Sequence, residues 1–193
     1  TPEKNPGVLI DALRRLPEQF KLLAIGPPSD HRAEFKARAA EFTPGRVFTL
    51  ADTTSIGNAL TAADSYVLPS FSEGLPLGML EAMLSGLPCI VSEWDCMAEL
   101  RESFGDLAWT IPRGAGGPEL AAAITQSVAD GGRFAQRTGI ARGVVFDHFS
   151  ATRVAALWER FLCEVVADWL DLAVFPPLQI IGDLPAAEPP EGY

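Results

Sequence analysis

Two carboxylates on either side of one predicted helix start are the residues in this chain best placed to do chemistry. Glu73 lies in a loop, and Glu81 lies eight positions later, inside a helix predicted to begin at Pro76. Because a helix rises ~1.5 Å per residue, Glu81 lies roughly 7–8 Å along the axis from Pro76. The helix N-terminus between them offers free N–H groups and a positive dipole end. The spacing therefore predicts two hydroxyl-binding carboxylates around an anion site.

Phosphate is the anion most often bound at such a helix end. A diphosphate at the amides of Leu77 and Gly78 would leave one hydroxyl-bearing group near each carboxylate. A nucleotide-diphospho-sugar has this layout of hexose, diphosphate and ribose, and Gly74 and Gly78 would let the backbone approach it closely. A Glu on a helix is usually just solvated, however, and pairs with this spacing occur by chance. The spacing alone does not decide between the two interpretations.

The elements that position these residues form a strand–loop–helix–strand unit. Tyr66–Leu68 is a short apolar strand, and Pro76 suits the first position of the helix. Gly86 ends that helix, and residues 89–91 form the next buried strand. Leucines recur on the helix at helical spacing, at Leu77, Leu80 and Leu84. The near absence of polar residues from the strands indicates a parallel sheet that is covered on both faces.

Strands and helices alternate through most of the remaining chain. Further strands are predicted over residues 20–25, 46–50 and 107–111. Further helices are predicted from Asn5 (as N-cap) to Pro17 and over residues 30–42, 55–63, 95–103, 118–130 and 132–147. Ser150 is predicted to cap a last long helix, whose inner face would be Val154, Leu157, Trp158, Phe161, Leu162 and Val165. This alternation predicts an α/β fold with a doubly wound, Rossmann-like parallel sheet. We expect one nucleotide-sugar-binding domain over residues 1–165, followed by a helix end and a proline-rich, disordered tail over 166–193.

Composition excludes several classes of partner. The chain has 193 residues, is 48% hydrophobic and carries a formal net charge of −10, so it is globular and suits neither nucleic acid nor anionic lipid. Its three cysteines lack metal-ligand spacing and favour reduced thiols in the cytoplasm. No apolar run is long enough to span a membrane. Because the chain begins with Thr1, we expect it to be part of a longer protein.

Several segments together resemble a known enzyme family. The string S-E-G-L-P-L-G-M-L-E-A-M-L-S-G-L-P-C-I-V-S resembles the E-x7-E donor-binding motif of the retaining glycosyltransferases of family 4, which have the two-domain GT-B fold. K-N-P-G-V-L-I-D-A-L, L-L-A-I-G-P, A-A-D-S-Y-V-L-P-S and H-F-S-A-T-R also resemble family segments, in the family's order. The resemblance covers roughly residues 4–163 and implies the C-terminal, donor-binding half of such an enzyme.

The resemblance also implies roles for particular residues. Glu73 would hold the donor sugar, Glu81 would bind the ribose, and Lys4 would neutralise the departing diphosphate. The backbone at Gly74, Leu75, Pro76, Leu77 and Gly78 would bind the donor, and Gly26, Thr49 and Leu50 would line the nucleotide pocket. No metal or other cofactor is expected, because Lys4 and the helix N-terminus carry the charge. The implied reaction transfers a sugar to a hydroxyl of a glycan, lipid or small molecule, in polysaccharide biosynthesis.

The chain departs from the family pattern in two respects. The family has a central strand ending in Gly-Arg just before the segment that contains Lys4, and an N-terminal domain that holds the acceptor; neither is present here. Residues 20–25 and 66–68 would then pair directly, admit residues 178–181 between them, or leave edges open to another chain. We expect low stability and self-association. Leu75-Pro76 stands where many members have Phe-Gly, a variation without expected effect on the chemistry.

Two other functions stay open. The chain could be an inactive nucleotide-sugar-binding module or partner subunit. A nicotinamide-binding domain is disfavoured, because Gly26-Pro27-Pro28 is not a G-x-G-x-x-G loop. The sequence does not name the nucleotide, the sugar or the acceptor, and it assigns no role to Trp94.

Overall fold

The computed structural model describes residues 2–26, 30–50 and 56–170. A short 3-10 helix at Pro2–Lys4 precedes the first α-helix. The elements then follow in the order α1 (Pro6–Leu13), β1 (Leu22–Ile25), α2 (Asp30–Phe42), β2 (Val47–Leu50), α3 (Ile56–Thr61), β3 (Tyr66–Leu68), α4 (Leu77–Leu84), β4 (Cys89–Ser92), α5 (Asp95–Phe104), β5 (Trp109–Ile111), α6 (Gly117–Ala129), α7 (Gly131–Phe149) and α8 (Ala151–Leu170). The alternation predicted from the sequence is confirmed.

The strands form two parallel sheets. β1 pairs with β2, and β3, β4 and β5 pair in that order. Within the described part of the chain, β1 and β3 do not pair with each other. The structure therefore does not adopt the closed arrangement, and it agrees with a Rossmann-like sheet from which one strand is missing. The alternative occupant, residues 178–181, lies outside the described residues.

Helix α1 packs against both sheets. Val8, Ala12 and Leu16 share one side of this segment and pack with Ile90 of β4 and with β5 and α6. Ile10 lies two positions from Val8 and Ala12, so it points to another side, where it packs with α2, β1 and β2. One short helix thus supplies side chains to the cores of both sheets.

The two sheets differ in how completely they are covered. All four residues of β4, Cys89–Ser92, are buried, as a central parallel strand requires. Leu23, Phe48 and Leu50 of β1 and β2 are exposed instead. The expectation of a sheet covered on both faces, made for the strands at residues 66–68 and 89–91, is confirmed for β4, whereas the residues of β3 are only half-buried.

Several predicted boundaries move in the structure. Helix α1 ends at Leu13, before Pro17, and Asn5 precedes it in the left-handed region (φ 48°) without a capping side-chain hydrogen bond. Pro76 is the N-cap of α4, so the helix begins at Leu77, one residue later than predicted. Ser150 does cap α8, because its Oγ accepts a hydrogen bond from the Arg153 N–H at 3.4 Å.

The chain divides into two compact units, Thr1–Gly143 and Val144–Tyr193. The second unit contains the end of α7 and all of α8. The side chains predicted to form the inner face of α8 are exposed, which makes that prediction wrong. The six predicted residues are Val154, Leu157, Trp158, Phe161, Leu162 and Val165, and Val166 is exposed as well. None of the described helices has the length and apolarity needed to cross a membrane.

Candidate active site at the start of helix α4

The loop that carries Glu73 leaves β3 over a buried tryptophan. Trp94 is 1% exposed, and its Nε1–H donates a hydrogen bond to the Ser70 carbonyl oxygen at 2.8 Å. The next residue, Phe71, donates its N–H to the Glu3 carbonyl oxygen at 2.8 Å. The loop is therefore fixed from two sides just before it reaches Glu73.

Lys4 and Glu73 meet in space although 69 positions separate them in the chain. The Lys4 Nζ lies 2.5 Å from Glu73 Oε1. The Glu73 side chain is only 10% exposed, whereas that of Lys4 is 51% exposed. The ammonium offsets the cost of holding a carboxylate in a largely buried position. The structure thus brings together the two residues predicted to be catalytic.

The N-terminus of α4 has unused hydrogen-bond donors. The Pro76 carbonyl oxygen accepts from the N–H groups of Met79 and Leu80, at 3.0 and 3.3 Å. Within residues 2–26, 30–50 and 56–170, the Leu77 and Gly78 N–H groups have no acceptor. Two adjacent free N–H groups at a positive dipole end form the kind of site that binds phosphate.

Tyr66 lies against this helix end. A Cβ built on Gly78 would be 2.7 Å from the Tyr66 hydroxyl oxygen, so the hydroxyl occupies the space that a side chain at position 78 would need. Burial raises the pKa of Tyr66, and the charges of Cys89, Glu73 and Glu81 raise it further. Both carboxylates of the motif therefore act on the same phenol. Glu81 itself is exposed on α4.

The remaining predicted residues form a second group at the ends of β1 and β2. Gly26 donates its N–H to the Leu50 carbonyl oxygen at 3.3 Å and accepts from Arg32 Nη1 at 2.9 Å. Thr49 pairs with Ala24 in the parallel register. Among the described residues, no hydrogen bond or ion pair joins this group to Lys4, Glu73 or Glu81. Pro27 and Pro28 lie outside the described residues.

The surroundings of the two glycines differ. Apart from its chain neighbours, no described residue has an atom within 4 Å of a Cβ built on Gly74, and Gly74 and Leu75 are both exposed. Of the two glycines, Gly78 is the one that a neighbouring side chain encloses. In the described ranges no three His, Cys, Asp or Glu side chains lie close enough together to hold a metal ion.

Sequence reasoning missed two residues that shape this site. Tyr66 was assigned only to its strand, and Trp94 was given no role. The sequence contained one usable signal, the glycine at the second position of α4. A glycine in a packed helix leaves space that a large side chain from a neighbouring element must fill, because protein interiors tolerate few gaps.

Comparison with known proteins decides the family. The sequence matches the family described as glycosyl transferases group 1 over residues 1–130, which is more than half of the chain. The chain belongs to this family. It is also 53% identical over 47 residues to the UDP-Gal:alpha-D-GlcNAc-diphosphoundecaprenol alpha-1,3-galactosyltransferase of Escherichia coli, covering 24% of this chain and 12% of that enzyme.

Solved structures of other glycosyltransferases show the same fold. Anabaena HepE, in complex with UDP and glucose, superposes with a TM-score of 0.77 at 24% identity, over 85% of this chain and 46% of HepE. The C-terminal domain of the group 1 glycosyltransferase LpcC from Francisella tularensis has a TM-score of 0.62 at 15% identity, over 78% of this chain and 82% of that domain. The chain has the fold of the C-terminal half of a GT-B glycosyltransferase and spans about half the length of HepE.

Proposed function

We propose that this chain is the donor-binding half of a retaining glycosyltransferase that uses a nucleotide-diphospho-sugar. The single observation that carries the proposal is the ion pair between Lys4 and Glu73 in the loop that leads, four residues later, to the free N–H groups at the start of α4. Family membership supports the transferase class, and the UDP complex of HepE supports a nucleotide-sugar donor.

The proposed chemistry is the loss of a diphosphate leaving group. As the bond between sugar C1 and the leaving oxygen breaks, the electron pair stays with the diphosphate. The acceptor hydroxyl oxygen forms the new bond to C1 and gives its proton to the departing diphosphate. The N–H groups of Leu77 and Gly78 and the Lys4 ammonium stabilise the developing negative charge through fixed electrostatics. Glu73 accepts hydrogen bonds from the donor sugar.

The proposal implies that Lys4 and Glu73 exchange their ion pair for contacts with the donor. In the structure each charge is already satisfied by the other. A bound donor would offer phosphate oxygens to Lys4 and sugar hydroxyls to Glu73, so both residues would change partners together. Donor binding therefore exchanges one ion pair for two new interactions, without leaving a buried charge unpaired.

The nucleotide end of the proposed site comprises Glu81 and the second group of residues. Glu81 would accept hydrogen bonds from the ribose hydroxyls. Thr49 and Leu50 would meet the base through backbone groups, and Gly26 would line the pocket between β1 and α2. The free thiols of Cys89, Cys96 and Cys163 support a cytoplasmic location. Synthesis of a polysaccharide on a glycan, lipid or small-molecule acceptor is the reaction class that the resemblance implies.

Substitutions of the two carboxylates test the proposal. Glu81→Ala should weaken the binding of the nucleoside diphosphate, because the ribose loses its acceptor. Glu73→Ala should change that affinity little and should weaken the binding of the intact nucleotide sugar. A hydrogen bond to a charged group is worth ~1.5–3 kcal/mol, so losses of roughly ten- to a hundredfold are expected in calorimetric titrations.

The binding panel consists of UDP, GDP and ADP, with the matching glucose conjugate of each. Glu159→Ala, on the second unit, is the matched control and should leave all affinities unchanged. If Glu73→Ala abolished nucleoside diphosphate binding while Glu81→Ala did not, the ligand would run in the opposite direction along α4. An inactive binding module, the alternative function, would bind the panel but would not transfer sugar when the N-terminal half of the fold is supplied.

A further inference from the structure

The Tyr66 hydroxyl lies beside Gly78, in the first turn of α4. Its oxygen would be 2.7 Å from a Cβ built on Gly78, the second residue of the helix. The N–H of Gly78 and the N–H of Leu77 beside it have no acceptor in the described part of the chain. The hydroxyl likewise makes no hydrogen bond to another described residue. Three unused donors therefore cluster at the start of one helix.

We propose that Tyr66 is a further donor-binding residue, whose hydroxyl donates a hydrogen bond to the diphosphate held by the N–H groups of Leu77 and Gly78. This inference rests on the proposed function, because it names an additional residue of the same site. Tyr66 reaches the site from β3, whereas the two N–H groups belong to α4. The diphosphate would thus be held from two elements.

A phenol suits a position where two nearby carboxylates influence its pKa. A lysine here would be drawn to Glu73 or Glu81, and a third carboxylate would repel the ligand. A neutral hydroxyl can donate to a phosphate oxygen without neutralising either glutamate. Burial and the neighbouring carboxylates raise the pKa of Tyr66, so the phenol keeps its proton throughout the neutral range. The hydroxyl is therefore a permanent donor.

The position of the Tyr66 hydroxyl also explains why residue 78 is a glycine. Any Cβ there would meet the hydroxyl oxygen at a distance that real Cβ atoms do not tolerate. The competing interpretation is that the hydroxyl only fills the space left by glycine. Both interpretations require a glycine beside the hydroxyl. Only the proposed one predicts that the hydroxyl donates a hydrogen bond to a phosphate ligand.

The first experiment tests where the hydroxyl lies, without any ligand. Gly78→Ala should destabilise the chain in urea unfolding, because the added methyl group meets the Tyr66 hydroxyl. The same substitution in a Tyr66→Phe background should cost much less, because phenylalanine lacks the oxygen. Gly139→Ala is the matched control, since Gly139 lies in α7 and nothing lies within 4 Å of its added Cβ. Its effect should be the same in both backgrounds, and additive effects at positions 66 and 78 would overturn the proposed geometry.

The second experiment tests the function of the hydroxyl by comparing two ligands. Tyr66→Phe should lower the affinity for UDP by about tenfold, the size expected for one hydrogen bond to a charged group, and should leave the affinity for uridine unchanged. If the wild-type chain binds GDP or ADP in place of UDP, the same comparison uses that nucleotide and its nucleoside. A thermal melt of the variant confirms that the fold is intact.

Each result has a distinct meaning. Unchanged UDP affinity in Tyr66→Phe would overturn the inference and leave the hydroxyl as a space-filling group. An equal loss for UDP and uridine would overturn it too, because the hydroxyl would then act on the nucleoside or on the fold. If the wild-type chain bound none of the three nucleoside diphosphates, the proposed function itself would fail, and the inference would fall with it.

Discussion

At the scale of single residues, the site depends on side chains that the motif does not contain. Glu73 and Glu81 are recognisable from their spacing, but the loop between β3 and α4 is fixed by Trp94. Its indole N–H satisfies the Ser70 carbonyl, three positions before Glu73, in a place where water has no access. A buried carbonyl needs such a partner, so Trp94 couples α5 to the loop that carries the proposed catalytic carboxylate.

Replacement of Trp94 tests this coupling. Trp94→Phe should lower the free energy of unfolding by about 1–3 kcal/mol through the unpaired Ser70 carbonyl, and further through the smaller side chain. Urea unfolding monitored by circular dichroism measures the change. Trp158→Phe is the matched control: Trp158 is 58% exposed on α8, and its replacement should change the free energy by less than about 0.5 kcal/mol. Equal effects at the two tryptophans would contradict the role given to Trp94.

At the scale of elements, helices α1 and α6 pack with their backbones in close contact. A Cβ built on Gly117 would be 2.7 Å from the Asp11 Cβ and 2.8 Å from the Asp11 carbonyl carbon. Backbone atoms cannot rotate away as a side chain can, so any larger residue must push the helices apart. Because α1 also packs on both sheets, displacement of this helix would reach the segment that holds Lys4.

Gly117→Ala should therefore destabilise the chain by about 1–3 kcal/mol, the usual cost of overpacking. The opposite result is expected for Gly139→Ala, which should stabilise the chain by about 0.4–1 kcal/mol, because alanine has less freedom to lose on folding and meets no neighbour. Chemical denaturation of both variants gives the comparison. A neutral or stabilising Gly117→Ala would show that α1 and α6 can move apart freely.

At the scale of the whole molecule, exposed apolar surface is concentrated on α8. Among the side chains of α8 that the structure describes, seven large apolar ones are exposed, including Trp158, Phe161 and Leu162. Patches of this kind on soluble proteins usually mark an interaction surface or promote association. The chain also spans only 46% of HepE, and the 47 residues that match the Escherichia coli relative cover 12% of that enzyme.

We predict that the 193-residue chain self-associates as its concentration rises. Analytical ultracentrifugation should show a rising average mass, and Leu162→Lys should reduce it by placing a charge in the apolar stripe. Glu159→Lys also introduces a lysine on α8 and serves as the control, because it replaces a polar residue; it should leave association unchanged. A clean monomer at high concentration would refute the prediction.

The sequence by itself determined the order and type of the elements and the position of the two carboxylates. Apolar periodicity and the placement of glycine and proline act locally, so they can be read from neighbouring residues, as at Tyr66–Leu68 and Leu77–Leu84. Only the tertiary structure decided that Lys4 meets Glu73, that Trp94 holds Ser70 and that the Tyr66 hydroxyl occupies the space beside Gly78. These contacts join residues between 12 and 69 positions apart, and their geometry depends on how helices and strands pack. The exposure of α8 has the same origin, because a helical apolar stripe shows which side chains share a face and does not show whether anything covers that face.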